Sequence, residues 1–109
     1  MMTIQICKDF SDTPGGRYIR EGEYSGEKFR EEILLPKYNE AEKVGEKLSI
    51  DFDGCYGFGT SFLEEAFGGL VRNHGKEKVL DRLLIVSKED ETIPGLIEKY
   101  VKEAEAKKG

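Results

Sequence analysis

Thr60 and Ser61 are adjacent alcohols with Asp51 and Asp53 before them and Glu64 and Glu65 after. Hydroxyls in such a setting can accept a phosphoryl group, or they can cap a helix. The stretch around them, residues 48–70, reads LSIDFDGCYGFGTSFLEEAFGGL. Leu48, Ile50 and Phe52 alternate with Ser49, Asp51 and Asp53, the period of a half-buried strand. Residues 55–59, with two glycines, predict a loop that visits left-handed backbone. A helix is expected to open at once. Ser61 is its predicted N-cap, because Glu64 three positions on completes an S-x-x-E capping box. Phe62, Leu63, Ala66, Phe67, Leu70 and Val71 then recur at helical spacing as one buried stripe. The two alcohols are thus predicted at the exit of a strand and the mouth of a helix, with Thr60 the freer for modification.

Other chemistries fit these residues less well. Gly54 and Gly59 have the separation of phosphate-loop glycines, but Thr60 stands where that motif needs lysine. Gly57-x-Gly59 lacks the third glycine of a dinucleotide fingerprint. The surrounding carboxylates oppose a polyphosphate. Glu64 and Glu65 could act as general acid and base, yet no nucleophile, histidine or metal motif accompanies them. They are expected on a solvated helix face. Arg17 follows a rigid turn, and its fork could hold Asp53 or a ligand phosphate; an internal ion pair is its expected use. The alternative function is therefore a small ligand- or nucleotide-binding or enzymatic domain using Arg17, Asp53 and Glu64 around the glycine loop. Gly68-Gly69 inside a helix costs about 1–2 kcal/mol against alanines. That cost predicts a close neighbour there, either the domain's own elements or a partner chain. Self-association through the apolar faces near these glycines is a further possibility, and a homo-oligomer is kept open. His74 reads as a helix terminator.

The elements that must position these residues follow in chain order. Thr3 to Phe10 alternates as a strand, and residues 12–17, DTPGGR, are concentrated turn chemistry. Arg17 to Glu23 is a second strand or a rigid extension. Ser25 is expected to cap a helix carrying Phe29, Ile33 and Leu34 inward, ended or kinked at Pro36. Tyr38, Ala41 and Val44 continue its apolar face to a Gly45 cap. After the central strand and helix, Gly75 closes the latter and residues 76–81 form a polar connection or a helical turn around Val79 and Leu80. Leu83 to Val86 is a continuous apolar run, expected as a strand buried on both faces. Thr92 is the predicted cap of a last helix with Ile93, Ile97, Tyr100, Val101 and Ala104 inward.

Strand and helix alternate, so the predicted fold class is α/β, one domain over residues 1–109. A mixed or parallel sheet of about four strands is expected, with helices mainly on one face. The chain has 109 residues, is 36% charged and 38% hydrophobic, and carries a net charge of −5. That balance argues against nucleic acid as a partner. No apolar run reaches the length of a membrane span, so no membrane association is expected. The opening MMTIQI enters a strand pattern with no basic leader, and the expected location is cytoplasmic. Cys7 and Cys55 are far apart in sequence and match no metal spacing. With one histidine, neither a metal nor another cofactor is expected.

Three stretches carry a family resemblance: DFSDTPGGRY over residues 9–18, YSGEKFREE over 24–32 and GFGTSFLEEAFGGL over 57–70. Together they resemble the STAS-like domain of unknown function, DUF4325, over nearly the whole chain. That family is similar to STAS domains, the fold of anti-sigma-factor antagonists. The resemblance implies a regulatory module in which a hydroxyl opening the helix after a central strand is phosphorylated by a GHKL, histidine-kinase-type ATPase partner. Thr60 matches the usual phospho-acceptor and Ser61 its neighbour. The pattern departs from the antagonists in having Gly59 where they have aspartate, and Phe62 where they have a small glycine. A protein partner is expected to meet the surface carrying Gly57, Phe58, Gly59, Glu64, Glu65 and Gly68.

Overall fold

The structure, a computed structural model, describes residues 2–55, 57 and 59–108. Three strands of four residues, β1 (Met2–Gln5), β2 (Leu48–Asp51) and β3 (Leu83–Val86), form one parallel sheet in the order β1-β2-β3. The register aligns Ile4 with Ile50 and Ile50 with Ile85, and it aligns Thr3 with Ser49 and Ser49 with Leu84. Side chains alternate between faces along a strand, so these rows lie on opposite sides. Ile4, Leu48 and Ile50 are fully buried, and Leu83 and Ile85 pack against the same core. On the other side Thr3 is exposed and Leu84 is 48% exposed. Ser49, between them on the middle strand, is 7% exposed, so this side is open chiefly at the two edge strands. Leu83–Val86, expected to be buried on both, is an edge strand with an open side.

A short helical turn, α1 (Ile6–Asp9), follows β1 directly. The Asp9 side chain accepts the Gln5 N–H at 2.8 Å, which is why the alternating pattern through Phe10 does not continue as strand. Residues 17–23 form no strand: their regular part is a 3-10 turn, Ile19–Glu21, braced by Glu21 Oε1 accepting the N–H groups of Arg17 and Tyr18. The expected fourth strand is thus a turn among the described residues.

The segments Gly26–Phe29, Arg30–Leu34 and Leu35–Val44 run on as one helix, residues 26–44 (α2), whose middle five residues form a π turn. Ser25 Oγ accepts the Lys28 N–H at 3.1 Å, the N-cap expected from sequence. Pro36 neither ends nor breaks this helix; the wider π turn comes just before the residue whose ring would crowd an α-helical carbonyl. Gly45, at φ 74°, closes it, and Val44 is 59% exposed instead of inward. After β2, Thr60–Leu63, Glu64–Gly68 and Gly69–His74 likewise form one helix, residues 60–74 (α3), again with a central π turn. Gly75, at φ 90°, ends it, and of the two readings of residues 76–81 the helical one holds, as α4 (Lys76–Arg82). The last helix, α5 (Ile93–Lys108), buries Ile93, Ile97, Val101 and Ala104. Thr92 does not cap it with its hydroxyl, which donates to Asp90 Oδ1 at 2.5 Å.

The core lies between the covered sheet face and these helices. Phe29, Leu34, Tyr38, Phe62, Phe67, Leu70 and Val71 are all fully buried within it. Every residue of the predicted α3 stripe is buried. No helix among the described residues is long and apolar enough to cross a membrane.

Candidate functional site

The site begins where β2 stops. Asp51 Oδ1 accepts the Asp53 N–H at 2.9 Å and bends the chain out of the strand. Gly54 then takes φ 93°, and a Cβ there would lie 2.8 Å from Cys7 Sγ. Both the conformation and the space demand glycine. Two further bonds clamp this turn: Asp53 Oδ1 accepts the Glu89 N–H at 2.9 Å, and Gly54 N–H donates to Glu89 Oε1 at 2.5 Å. The Cys7 thiol donates to the Asp53 carbonyl at 3.3 Å. The turns that follow β1, β2 and β3 are thus tied together at the carboxyl ends of the strands.

Gly57 and Gly59 are exposed, as are Thr60 and Ser61. Phe58, also expected in this surface, lies outside the described residues. The N-cap of α3 is Gly59, in extended backbone, with no side chain capping the helix. The expected cap at Ser61 and its box with Glu64 do not form, because the helix starts two residues earlier and Glu64 turns toward arginine. Neither hydroxyl bonds another described residue. Gly59 packs against the first loop, where a Cβ would meet Gly15 Cα and Gly16 N at 3.9 Å each. That contact brings the turn before Arg17 alongside the start of α3.

Behind the hydroxyls runs an alternating row of charge. The Arg17 guanidinium binds Glu64 Oε1 and lies 3.5 Å from Glu65 Oε1. Arg30 Nη1 donates to Glu65 Oε2 at 2.7 Å and to the Glu65 carbonyl at 2.5 Å. Arg72 completes the row at 3.5 Å from Glu64 Oε2. Glu65, expected in solvent, is 7% exposed, and Glu64 is largely covered. Arg17 and Asp53 are not brought together. Arg17 serves α3, and Asp53 serves the turns after the strands.

Gly26 and the glycine pair explain how close these elements come. A Cβ at Gly26 would sit 2.5 Å from the Phe62 carbonyl. At Gly69 it would collide with the Arg30 side chain, and at Gly68 it would lie 2.6 Å from Glu64 Oε2 and 3.5 Å from Ala104 Cβ. The neighbour predicted for Gly68-Gly69 is therefore α2 and α5 of the same chain. Gly68 and Gly69 are buried, so neither lies on an exposed partner or self-association surface.

Arg30 and Arg72 are the site residues that sequence reasoning missed. Their partners lie on a distant segment or about two helix turns away, and the glycine pair was the sole sign that a long side chain must cross α3. Burial pushes the Glu64 carboxyl up, but the Arg17 hydrogen bond and the charges of Arg17 and Arg72 outweigh it, leaving it below its ordinary 4.5. A carboxyl lowered on folding adds stability above its ordinary value, and that stability disappears as pH falls through the folded one. The expected outcome is an acid-side loss of stability beginning near pH 4.5 that Glu64→Gln flattens, read from urea midpoints across pH.

No cluster of metal-ligating side chains occurs among the described residues. Cys7 and Cys55 are free thiols, both half-buried. Burial, with Cys7 and nearby carboxylates adding to it, pushes the Cys55 thiol up to about 12. The thiolate is the reactive form, so at pH 8 Cys55 should alkylate about a thousandfold more slowly than an ordinary thiol. Peptide mass mapping against iodoacetamide exposure time checks this.

No curated protein and no solved structure matches the chain. The family model that matches covers residues 25–92, from the cap of α2 to the turn before α5, and so includes the central strand, the glycine loop and α3. Arg17 and β1 precede the matched span. With that span covering more than half of the sequence, and a parallel α/β fold around it, the chain belongs to the STAS-like domain of unknown function family, DUF4325.

Proposed function

We propose that this chain is a regulatory protein-interaction module whose partner surface centres on Gly57, Gly59, Thr60 and Ser61. The single observation that carries this reading is that both hydroxyls are exposed and uncommitted at the opening of α3, while everything beneath them is pinned. Caps are the usual employment of such alcohols, and here neither is so employed. A phosphate on either would sit at the positive end of a fifteen-residue helix, residues 60–74, where negative charge is favoured. Thr60 and Glu64, and likewise Ser61 and Glu65, are one helical turn apart, so Arg17 lies on the face that a phosphate would share. Its cation offsets the carboxylates that would otherwise repel the added charge. The partner, by the resemblance to anti-sigma-factor antagonists, is a GHKL, histidine-kinase-type ATPase, and the setting is the cytoplasm.

The test is a titration of a candidate ATPase of that type onto the wild-type chain and onto Thr60→Glu with Ser61→Glu. Binding weakened at least tenfold by the paired change supports a switch at the hydroxyls. Equal binding removes it. The small-ligand alternative has less to stand on, since Arg17 and Asp53 are engaged with different elements and do not converge on a shared space.

A further inference from the structure

The outer edge of β1 pairs with no strand among the described residues. In a parallel ladder alternate residues point both backbone groups to the same neighbour. The Met2 N–H donates to the Lys47 carbonyl at 3.2 Å, so Met2 and Ile4 face β2. Thr3 and Gln5 must then direct their backbone groups away from the sheet. Asp9 takes the Gln5 N–H with its side chain, and the Gln5 carbonyl opens α1 as its N-cap, leaving the Thr3 N–H and C=O at the free edge. Beside that edge is a groove of about 400 Å³ between β1 and α2, lined by Thr3, Ile33 and Pro36 among others. Its charged lining is Asp9, Glu32 and Glu40 against Lys37, an excess of negative charge. Glu32, Lys37 and Glu40 are exposed and form no ion pair with any described residue.

We propose that this groove accepts an extended, basic segment of a partner protein, which pairs with β1 as a further strand of the sheet. Unpaired main-chain groups supply the affinity of such an addition, and the side-chain surface beside them supplies its selectivity. Ile33 and Pro36 give the incoming strand an apolar strip, and the three carboxylates select lysine or arginine at its outward positions. The short, blunt edge and the like charges disfavour a second copy of this acidic chain.

The experiment uses fluorescence anisotropy of a labelled ten-residue peptide of alternating valine and lysine against the full chain. Three comparisons accompany it: the same peptide N-methylated at alternate residues, an alanine–lysine helical peptide of equal charge, and the chain carrying Glu32→Lys with Glu40→Lys. The expected result is saturable binding of the extended peptide, weakened about tenfold by N-methylation and about tenfold by the charge reversals. Thr3→Pro should weaken it similarly with the circular dichroism unchanged, since the lost N–H bonds nothing within the fold. If that variant unfolds, the N-methylated peptide asks the same question without touching the protein. Equal binding of the helical or N-methylated peptide, indifference to the charge reversals, or no binding at all would overturn the proposal.

Discussion

Gly26→Ala is expected to destabilise the fold by about 3 kcal/mol, at the upper end of what overpacking costs. The new methyl would lie 2.5 Å from the Phe62 carbonyl and 3.1 Å from Glu65 Cβ. The first of these is backbone at the start of α3 and cannot swing aside. Relief requires α2 and α3 to separate, which also pulls Phe29 away from Phe62, whose rings now lie 5.5 Å apart. For a domain of this size such a loss is a large share of total stability. Urea unfolding followed by circular dichroism measures it. An unchanged midpoint would mean that the two helices do not approach as closely as described.

Glu65→Ala is expected to cost about 2–3 kcal/mol, because it strands the Arg30 guanidinium among buried groups. Side-chain exposure is 14% for Arg30 and 10% for Glu65, so water cannot replace the lost carboxylate. Glu65→Gln should cost less, since its amide oxygen can still accept from Arg30. Arg30→Met combined with Glu65→Ala should recover part of the loss, as removal of both charges leaves nothing uncompensated. That pattern, single worse than double, separates a desolvated ion pair from a simple packing defect. Equal cost for the single and double changes would contradict it.

The central strand, the buried stripe of α3 and the two caps at Ser25 and Gly45 were legible in the sequence. Each is a local signal: a period of two, a period of 3.6, or a residue type demanded by one backbone conformation. The left-handed backbone expected of the glycines in residues 55–59 falls instead on Gly54, and Gly59 is extended. The failures have a common physical origin in contacts between distant segments. Residues 17–23 have the composition of a strand, yet Glu21 folds back on the N–H groups of Arg17 and Tyr18 and makes a turn. Leu83–Val86 is as apolar as a doubly buried strand, but nothing in the run itself shows that it lies at an edge. Ser61 has a correct capping box by spacing, and it loses to the tertiary pull of Arg17 on Glu64. At the candidate site the two hydroxyls were predicted from their position and Arg17 as an ion-pair residue, while Arg30 and Arg72 were invisible except through Gly68 and Gly69.

The central claim is that the uncommitted alcohols opening α3 are the handle by which this module is regulated. Tandem mass spectrometry of the chain purified from its native cells, across growth and stress conditions, tests it most directly. Cleavage after Lys47 and Arg72 releases residues 48–72 as one peptide, so both positions are read together. The account predicts a phosphate on Thr60 or Ser61 whose occupancy changes with condition. Full coverage of that peptide with no modification under any condition would contradict it.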